Sequence, residues 1–467
     1  MPPMKIDFGT QSNPGRHGPD TGPRHINAYV ESVVEGGAPI YVPSGLRLLA
    51  TVSEGGACRG LISINDVFYA VSGKKLVKVD QFGSVTDIGS IPGTTSVFMA
   101  RNANRENLQI AVVVEGLRYV IDDDVLTPIS DTDLPPPESV AFLDQRLMYS
   151  MPDGRIFWSE IDDATDIDAL SFATAEGAPD GLTRVYAHRL DAWLFGKETI
   201  EIWAATANET NPFQRRPGGF IQSGCIAHHS VASLGDDIFW IGHDCIPRRA
   251  AGYSQVLLQH FPVCRAIENT TDKDGIVGFG YYDRGHAFYV ISGADWTWQY
   301  NRTTDRWFER ESNQLTRWRA HHATRFRDQT VVGDSQNANI YVVDPTYHTE
   351  NSEVLTWTIQ SPPVHARPNR ISVDRLHVNV VTGVGLNSSD THASAPKLGL
   401  RYSDDGGHSW TRKRLESLGA IGQRKTRVSF NGLGTTGHQG RIWELSSSSP
   451  VVRGLIDTEI EGGLVTV

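Results

Sequence analysis

A four-strand unit that recurs along the chain is the strongest constraint on the fold. It is clearest over residues 274–312. A turn at Asp283-Arg284-Gly285 separates a β-branched and aromatic run at 276–282 from the apolar run 287–292. Gly293-Ala294-Asp295 leads into 296–300, and the polar stretch 301–306 is closed by Trp307 and Phe308. Short apolar runs bounded by Gly, Asp and Asn read as strands joined by tight turns. Four antiparallel strands make one propeller blade, and a blade buries its faces only against other blades.

The pattern returns at 58–91, with VFYAV from Val67 and LVKVD from Leu76, and at 96–130, with QIAVVV from Gln109 and LRYVID from Leu117. It returns again at 139–170 (RLMYSM from Arg146, IFWSE from Ile156), 179–220 (DAWLFG from Asp191, IEIWA from Ile200) and 224–260 (DIFWIG from Asp237). A last unit covers 318–350, with QTVVGD from Gln329 and NIYVVD from Asn339. Starts lie about 38 to 50 residues apart, the spacing of propeller repeats. The expected fold is all-β: a β-propeller of six or seven irregular blades over 46–350. Stacked β-sandwiches are the alternative. Helical periodicity is absent.

Outside the repeat, residues 1–45 are rich in Gly, Pro, Asn and Arg and read as an extended arm that a partner would fix. Residues 351–467 carry longer alternating strands, such as SVDRLHVNVV from Ser372, and read as a separate β-sandwich platform. Over 397–444 nine basic residues, among them Arg412, Lys413, Arg414, Arg424, Lys425 and Arg427, face only Asp404, Asp405, Glu416 and Glu444. The 467-residue chain as a whole carries a net charge of −11. Such a surface does not hold nucleic acid tightly, because that affinity comes from neutralising phosphates. It suits a wall past which DNA slides, and the basic cluster is read as a protein contact rather than a nucleic-acid site.

The N-terminus lacks the apolar core of a signal peptide, and no apolar run approaches the roughly 18 residues that span a bilayer. The expectation is a protein made and used without export, with no membrane partner. Cys58, Cys225, Cys245 and Cys264 are widely spaced and read as reduced thiols. Without export, Asn-x-Ser/Thr at Asn208 and Asn301 carries no meaning.

Several motifs point to chemistry and are better read as structure. Ser403-Asp404-Asp405-Gly406-Gly407-His408-Ser409-Trp410 resembles the Asp-box of sialidases and other propeller proteins. Ser403, Asp405 and Ser409 satisfy turn amides, Gly407 takes positive φ, and Trp410 packs under the hairpin. Its single occurrence, outside the blades, leaves a glycan hydrolase or a glycan-binding receptor module as the alternative function. Gly432-Leu433-Gly434-Thr435-Thr436-Gly437 spells a dinucleotide fingerprint but precedes a strand, so it reads as a hairpin loop. Asp162, Asp163, Asp166 and Asp168, like Asp122-Asp123-Asp124, read as acidic loops, although carboxylates also suit Ca²⁺. Neighbours on a strand point to opposite faces, so His228-His229 and His321-His322 are each poor chelators. No catalytic residue, cofactor or metal is expected.

Several stretches together carry a resemblance. They are Asn27-Ala28-Tyr29-Val30-Glu31 in the arm, Pro179-Asp180-Gly181 followed by LFGKETIEIW from Leu194, WQYNRTTDRW from Trp298 and VVGDSQNANIYVVD from Val331. The C-terminal part adds SDDGGHSW from Ser403, LGAIGQRKTRVSF from Leu418 and RIWELSSSSPV from Arg441. In kind and order they resemble the packaged-DNA stabilisation, or tail hub and nozzle, proteins of short-tailed bacteriophages. The resemblance implies a propeller plus β-rich platform in the virion. It implies a homo-oligomeric ring, of six copies, below the portal and adaptor. The ring would continue the DNA channel, pass double-stranded DNA without reading its sequence, and close the filled head. The expected assembly contacts are Asn27, Tyr29 and Glu31 in the arm, and Arg412, Arg414, Arg424 and Arg427 in the platform.

Overall fold

A computed structural model describes residues 4–16, 21–31, 38–104, 106–175, 177–206, 208 and 211–466. Among these residues, seven antiparallel four-stranded units follow one another. Blade one comprises Cys58–Ile64, Val67–Ser72, Lys75–Asp80 and Val85–Ser90; blade two, Phe98–Arg101, Gln109–Val114, Leu117–Asp122 and Val125–Pro128. Blade three runs from Ser139–Leu143 to Phe172–Thr174, blade four from Leu182–His188 to Phe213–Ile221, and blade five from Ala232–Leu234 to Ser254–Leu257. Blade six comprises Val277–Asp283, His286–Ser292, Thr297–Asn301 and Arg306–Glu309. Blade seven takes three strands, Ala320–Phe326, Gln329–Asp334 and Asn339–Asp344, from late in the chain. Its fourth, Gly45–Thr51, comes from the beginning and pairs from Asp344↔Gly45 to Asn339↔Thr51. The chain thus latches its own ring and leaves no open seam between first and last blades.

Blade packing explains why the second strands read as unbroken apolar runs. In Gln109–Val114, Ile110, Val112 and Val114 join a core with Ile64, Tyr69 and Leu76 of blade one. Ala111 and Val113 face the other way, into a core with Val140, Leu147, Tyr149 and Phe157 of blade three. Both faces are buried, so the polar half of the usual alternation is missing. The same arrangement puts Trp193 and Trp240 between blades four and five. Each fully buried side chain of this size contributes about 2–3 kcal/mol.

The strand pairing crosses the expected boundaries at 45 and 350. Arg24–Ile26 lies beside the last strand of blade six, parallel at Ile26↔Glu309, and antiparallel to Trp357–Gln360. The sheet then continues through Ile442–Ser447, Lys397–Ser403 and Arg414–Ser417, nine strands in all. A second sheet holds Tyr29–Val30, Ile40–Tyr41, Gly454–Val465, Arg370–Val380 and Val428–Thr435, with Met4–Lys5 added on Gly454–Val465. The two sheets form a sandwich over one core, in which Trp357, Leu400 and Trp443 meet Ile371, Phe430 and Ile460. That core also takes in Phe279, Phe288 and Phe308 of blade six. The platform is therefore an extension of blade six, and the described strands of the arm are built into their own chain. The physical reason is that an isolated strand edge at Glu309 would leave backbone groups unpaired, and Arg24–Ile26 satisfies them.

The helix Phe261–Asn269 links blades five and six. No helix among the described residues is long and apolar enough to cross a membrane.

Candidate functional site

The first strands of all seven blades face the ring axis and line a cavity of about 1190 Å³. They are poorer in apolar residues than the second strands because one side looks into that space. Gly278 and Gly280 alternate along blade six, where an added Cβ would meet Ser230 O at 2.5 Å and Ser233 O at 2.8 Å. Glycine there lets blade five approach.

One end of the cavity is blocked. Phe98 of blade two stacks on His229, just before blade five, with ring centroids 4.3 Å apart and planes 14° from parallel. Blades two and five are not neighbours, so this contact spans the axis. Arg184 of blade four adds its guanidinium, 5.0 Å from the ring centres of both Phe98 and Tyr186. Arg184 Nη1 donates to the carbonyl of His228 at 2.5 Å. His322 of blade seven lies 3.0 Å, Nε2 to Oγ, from Ser96. Burial pushes the His322 imidazole down to about 3, with the charges of Arg184 and Arg317 adding to the effect. Burial also holds His229 well below its ordinary range, helped by His228 and Arg184. Both rings are neutral at neutral pH. The two histidine pairs, read separately in the sequence, thus contribute one member each to the same channel.

The other expected residues sit elsewhere. Asn27 and Tyr29 are 2% and 1% exposed, enclosed by their own chain, so their side chains offer a neighbouring copy no surface. Glu31 keeps 43% of its side chain exposed, with His286 Nε2 3.9 Å away. Arg412, Lys413, Arg414, Arg424, Lys425 and Arg427 are all exposed on the free edge of the platform. None has an ion-pair partner among the described residues. Arg401 and Arg441 of the same region are committed internally, to Glu444 at 2.5 Å and Asp404 at 2.8 Å.

In the Asp-box segment, Asp405 Oδ1 accepts from Ser403 Oγ at 2.7 Å and from the Ser409 amide at 2.9 Å. Asp405 Oδ2 accepts from Ser409 Oγ at 2.5 Å. Gly406 and Gly407 have φ of 74° and 94°, and Trp410 Nε1 donates to the Gly407 carbonyl at 3.1 Å. Hydrogen bonds from Ser409 and Ser403 hold the Asp405 carboxyl well below the usual carboxylate range. Ser403, Asp405, Gly407, Ser409 and Trp410 are occupied by the turn, while Asp404 accepts from Arg441 and from the Gly437 amide.

The acidic loops are tied into their own chain: Asp124 accepts from Lys78 and Tyr69 of blade one. Asp163 Oδ1 accepts from the Thr165 amide, and Asp168 Oδ1 from that of Leu170. No group of three or more His, Cys, Asp or Glu is placed to hold a metal ion among the described residues. Gly432 and Gly434 lie within the strand Val428–Thr435, with φ of 63° and 69°. The four cysteines are free thiols. Burial raises the Cys58 thiol to about 12 and that of Cys225 to about 11, so neither is a ready nucleophile.

Among solved structures, the chain is similar to virginiamycin B lyase from Staphylococcus aureus, at 9% identity over 64% of this chain and 99% of that one, with a TM-score of 0.44. The WD40 β-propeller domain of Doa1 is 12% identical over 64% and 96%, with a TM-score of 0.43. The computationally designed Ika8 protein is 12% identical over 64% and 99%, with a TM-score of 0.40. No curated protein matches the chain in sequence. A family profile described as the β-propeller of bacteriophage P22 Gp10 matches residues 10–257. That match covers just over half of the sequence and takes in blades one to five, so the chain belongs to the phage stabilisation family of bacteriophage P22 Gp10.

Proposed function

We propose that this phage structural protein works as a ring of identical copies, six in number, on the tail axis. The ring extends the DNA channel below the portal and adaptor and retains the packaged genome. Its role is mechanical rather than catalytic. Family membership is the observation that carries this reading.

The geometry supports it in three ways. The propeller and sandwich share a sheet and a core, which makes a stiff wall element. The propeller's own channel cannot be the DNA path. It is stopped by Phe98 and His229, whose rings stack across the axis. DNA therefore runs between copies, past a surface whose net charge of −11 repels phosphate. Finally, unpaired basic residues on one edge and acidic loops on the blades suit a contact between different patches of successive copies. Such heterologous contacts make a ring where the rotation from copy to copy closes.

The test is imaging of purified particles that carry a tagged copy of this chain, alongside particles assembled without it. The expected result is ring density on the tail axis, and heads that lose DNA when the chain is missing. Off-axis density, or full and stable heads without the chain, overturns the reading.

A further inference from the structure

Arg184 is an unusual residue to find at the bottom of a blind channel. It sits deep enough for burial to lower its pKa. Yet it lines the cavity and is not fully covered. Its partners are one carbonyl, that of His228, and the faces of Phe98 and Tyr186. Its Nε has no hydrogen-bond partner. No carboxylate among the described residues forms an ion pair with it.

The charged groups at the opposite mouth are differently placed. Asp283 accepts from the amide and hydroxyl of Ser44, at 2.9 and 2.5 Å. Arg284 donates to the carbonyls of Val42 and Pro345. Those groups are used up in closing the blade. Also on the wall, Arg325 and Asp328 are largely exposed and lie 4.0 Å from each other, and Asp344 pairs with Arg47. Arg184 is left with one carbonyl and an unpartnered Nε, and the histidines beside it are neutral and add no anion.

The guanidinium has no counterion within the described residues, and an oxyanion in the cavity would supply one. A planar guanidinium takes carboxylate or phosphate in a forked pair. The walls are mixed, with Val140, Phe142, Tyr186 and Val231 among their apolar or aromatic members. The cavity is of the size that holds a small organic molecule.

We propose that the closed propeller channel is a binding pocket for a small molecule carrying a carboxylate or phosphate group. Arg184 is the anion anchor, and Phe98 and Tyr186 form the apolar floor. This site is independent of ring assembly and stands or falls separately from it.

The test is calorimetric titration of the intact protein with three probes: benzoate, inorganic phosphate, and benzyl alcohol as the uncharged counterpart of benzoate. Benzoate or phosphate is expected to bind, and their ratio identifies which oxyanion the pocket prefers. Benzyl alcohol is expected to bind at least about tenfold more weakly than benzoate, a difference of about 1.4 kcal/mol. Arg184→Met keeps the aliphatic stem and is expected to stay folded, to melt no lower than the native protein, and to lose the anion. Arg184→Lys keeps charge without the fork and is expected to bind about tenfold more weakly. Should Arg184→Met not fold, the lysine variant and the benzyl alcohol comparison decide the matter. The proposal is overturned if neither oxyanion binds at millimolar concentration. It is also overturned if the anions bind Arg184→Met, or Arg184→Lys where methionine prevents folding, as tightly as the native protein.

Discussion

Asn27 holds both backbone groups of Glu311: its Nδ2 donates to the Glu311 carbonyl at 2.8 Å and its Oδ1 accepts from the Glu311 amide at 3.1 Å. The same Nδ2 donates to the carbonyl of Thr356 at 2.8 Å. One buried side chain thus joins the arm, the end of blade six and the start of the sandwich. Its backbone φ of 52° is in the left-handed region, which asparagine tolerates better than most residues.

Asn27→Ala is expected to strip three part-buried backbone groups of their partner and to destabilise the protein by roughly 1–3 kcal/mol. Asn27→Gly relieves the backbone but lacks the same hydrogen bonds, so most of the loss should persist. Thermal midpoints of the two variants separate the contributions. A glycine variant as stable as the native protein would show that the hydrogen bonds matter little.

Arg441 is expected to hold the platform loops together. It is 1% exposed, forks onto Asp404 with both distances at 2.8 Å, and donates to the carbonyls of Leu433 and Thr435. Its guanidinium also lies 3.8 Å from the ring centre of Tyr402. Arg441→Met fills the space but strands a carboxylate and two carbonyls, at an expected cost of about 3 kcal/mol. Arg441→Lys reaches only part of the set and should fall between. The ordering of the three midpoints is the measurement; a lysine variant equal to the native protein removes the fork from the explanation.

The blades were legible because their signal is local. VFYAV, QIAVVV and DAWLFG are apolar on both faces, with turn residues at each end. The Asp-box segment is legible for the same reason, since Ser403, Asp405, Ser409 and Trp410 hydrogen-bond within the motif. What had no local signal was pairing across the chain. Gly45–Thr51 finds its partner at Asn339–Asp344, and Arg24–Ile26 finds two, at Glu309 and at Trp357–Gln360. Nothing near residue 45 announces a strand closing a ring, so the segment before it read as a free arm. The channel stop was invisible for a related reason. Phe98 and Arg184 belong to different blades and His229 to the turn leading into a third, and only ring geometry brings them together.

Acid is expected to loosen the seam between propeller and platform. His25 is fully buried in the strand Arg24–Ile26; its Nε2–H donates to the Phe8 carbonyl at 2.8 Å, and its ring stacks on Phe308. Burial holds its pKa at about 4, against the upward pull of the Phe8 carbonyl, Glu309 and Asp7. In the unfolded chain a histidine titrates near about 6.5. Between those values the unfolded state carries a proton that the folded state does not. Stability is therefore complete above pH 6.5, falls as the pH drops toward 4, and loses no more from this group below it. The loss is roughly 3 kcal/mol for His25. His260 and His348, also held at about 4 chiefly by burial, steepen the slope. Thermal midpoints from pH 7.5 to 4.5 should fall for the native protein and less steeply for His25→Gln. Parallel curves would remove His25 from the account.

The exposed basic edge makes the most direct prediction about assembly. Arg412, Arg414, Arg424 and Arg427 lie on or beside the edge strand Arg414–Ser417 and the approach to Val428–Thr435. All are exposed, so replacing them should shift stability by no more than about 0.5 kcal/mol. If they meet acidic loops of a neighbouring copy, glutamate at all four positions turns attraction into repulsion. The quadruple variant is expected to fold as the native protein does, yet to remain monomeric in light scattering and to be absent from particles. Salt should weaken native assembly in the same direction, because screening shortens from about 10 Å at 0.1 M to about 3 Å at 1 M. Introducing lysine at Asp162, Asp163, Asp166 and Asp168 in the quadruple variant tests whether blade three supplies the complementary surface, and recovery of the oligomer would identify it. A quadruple variant that assembles normally at low salt would show that the ring is held by other surfaces.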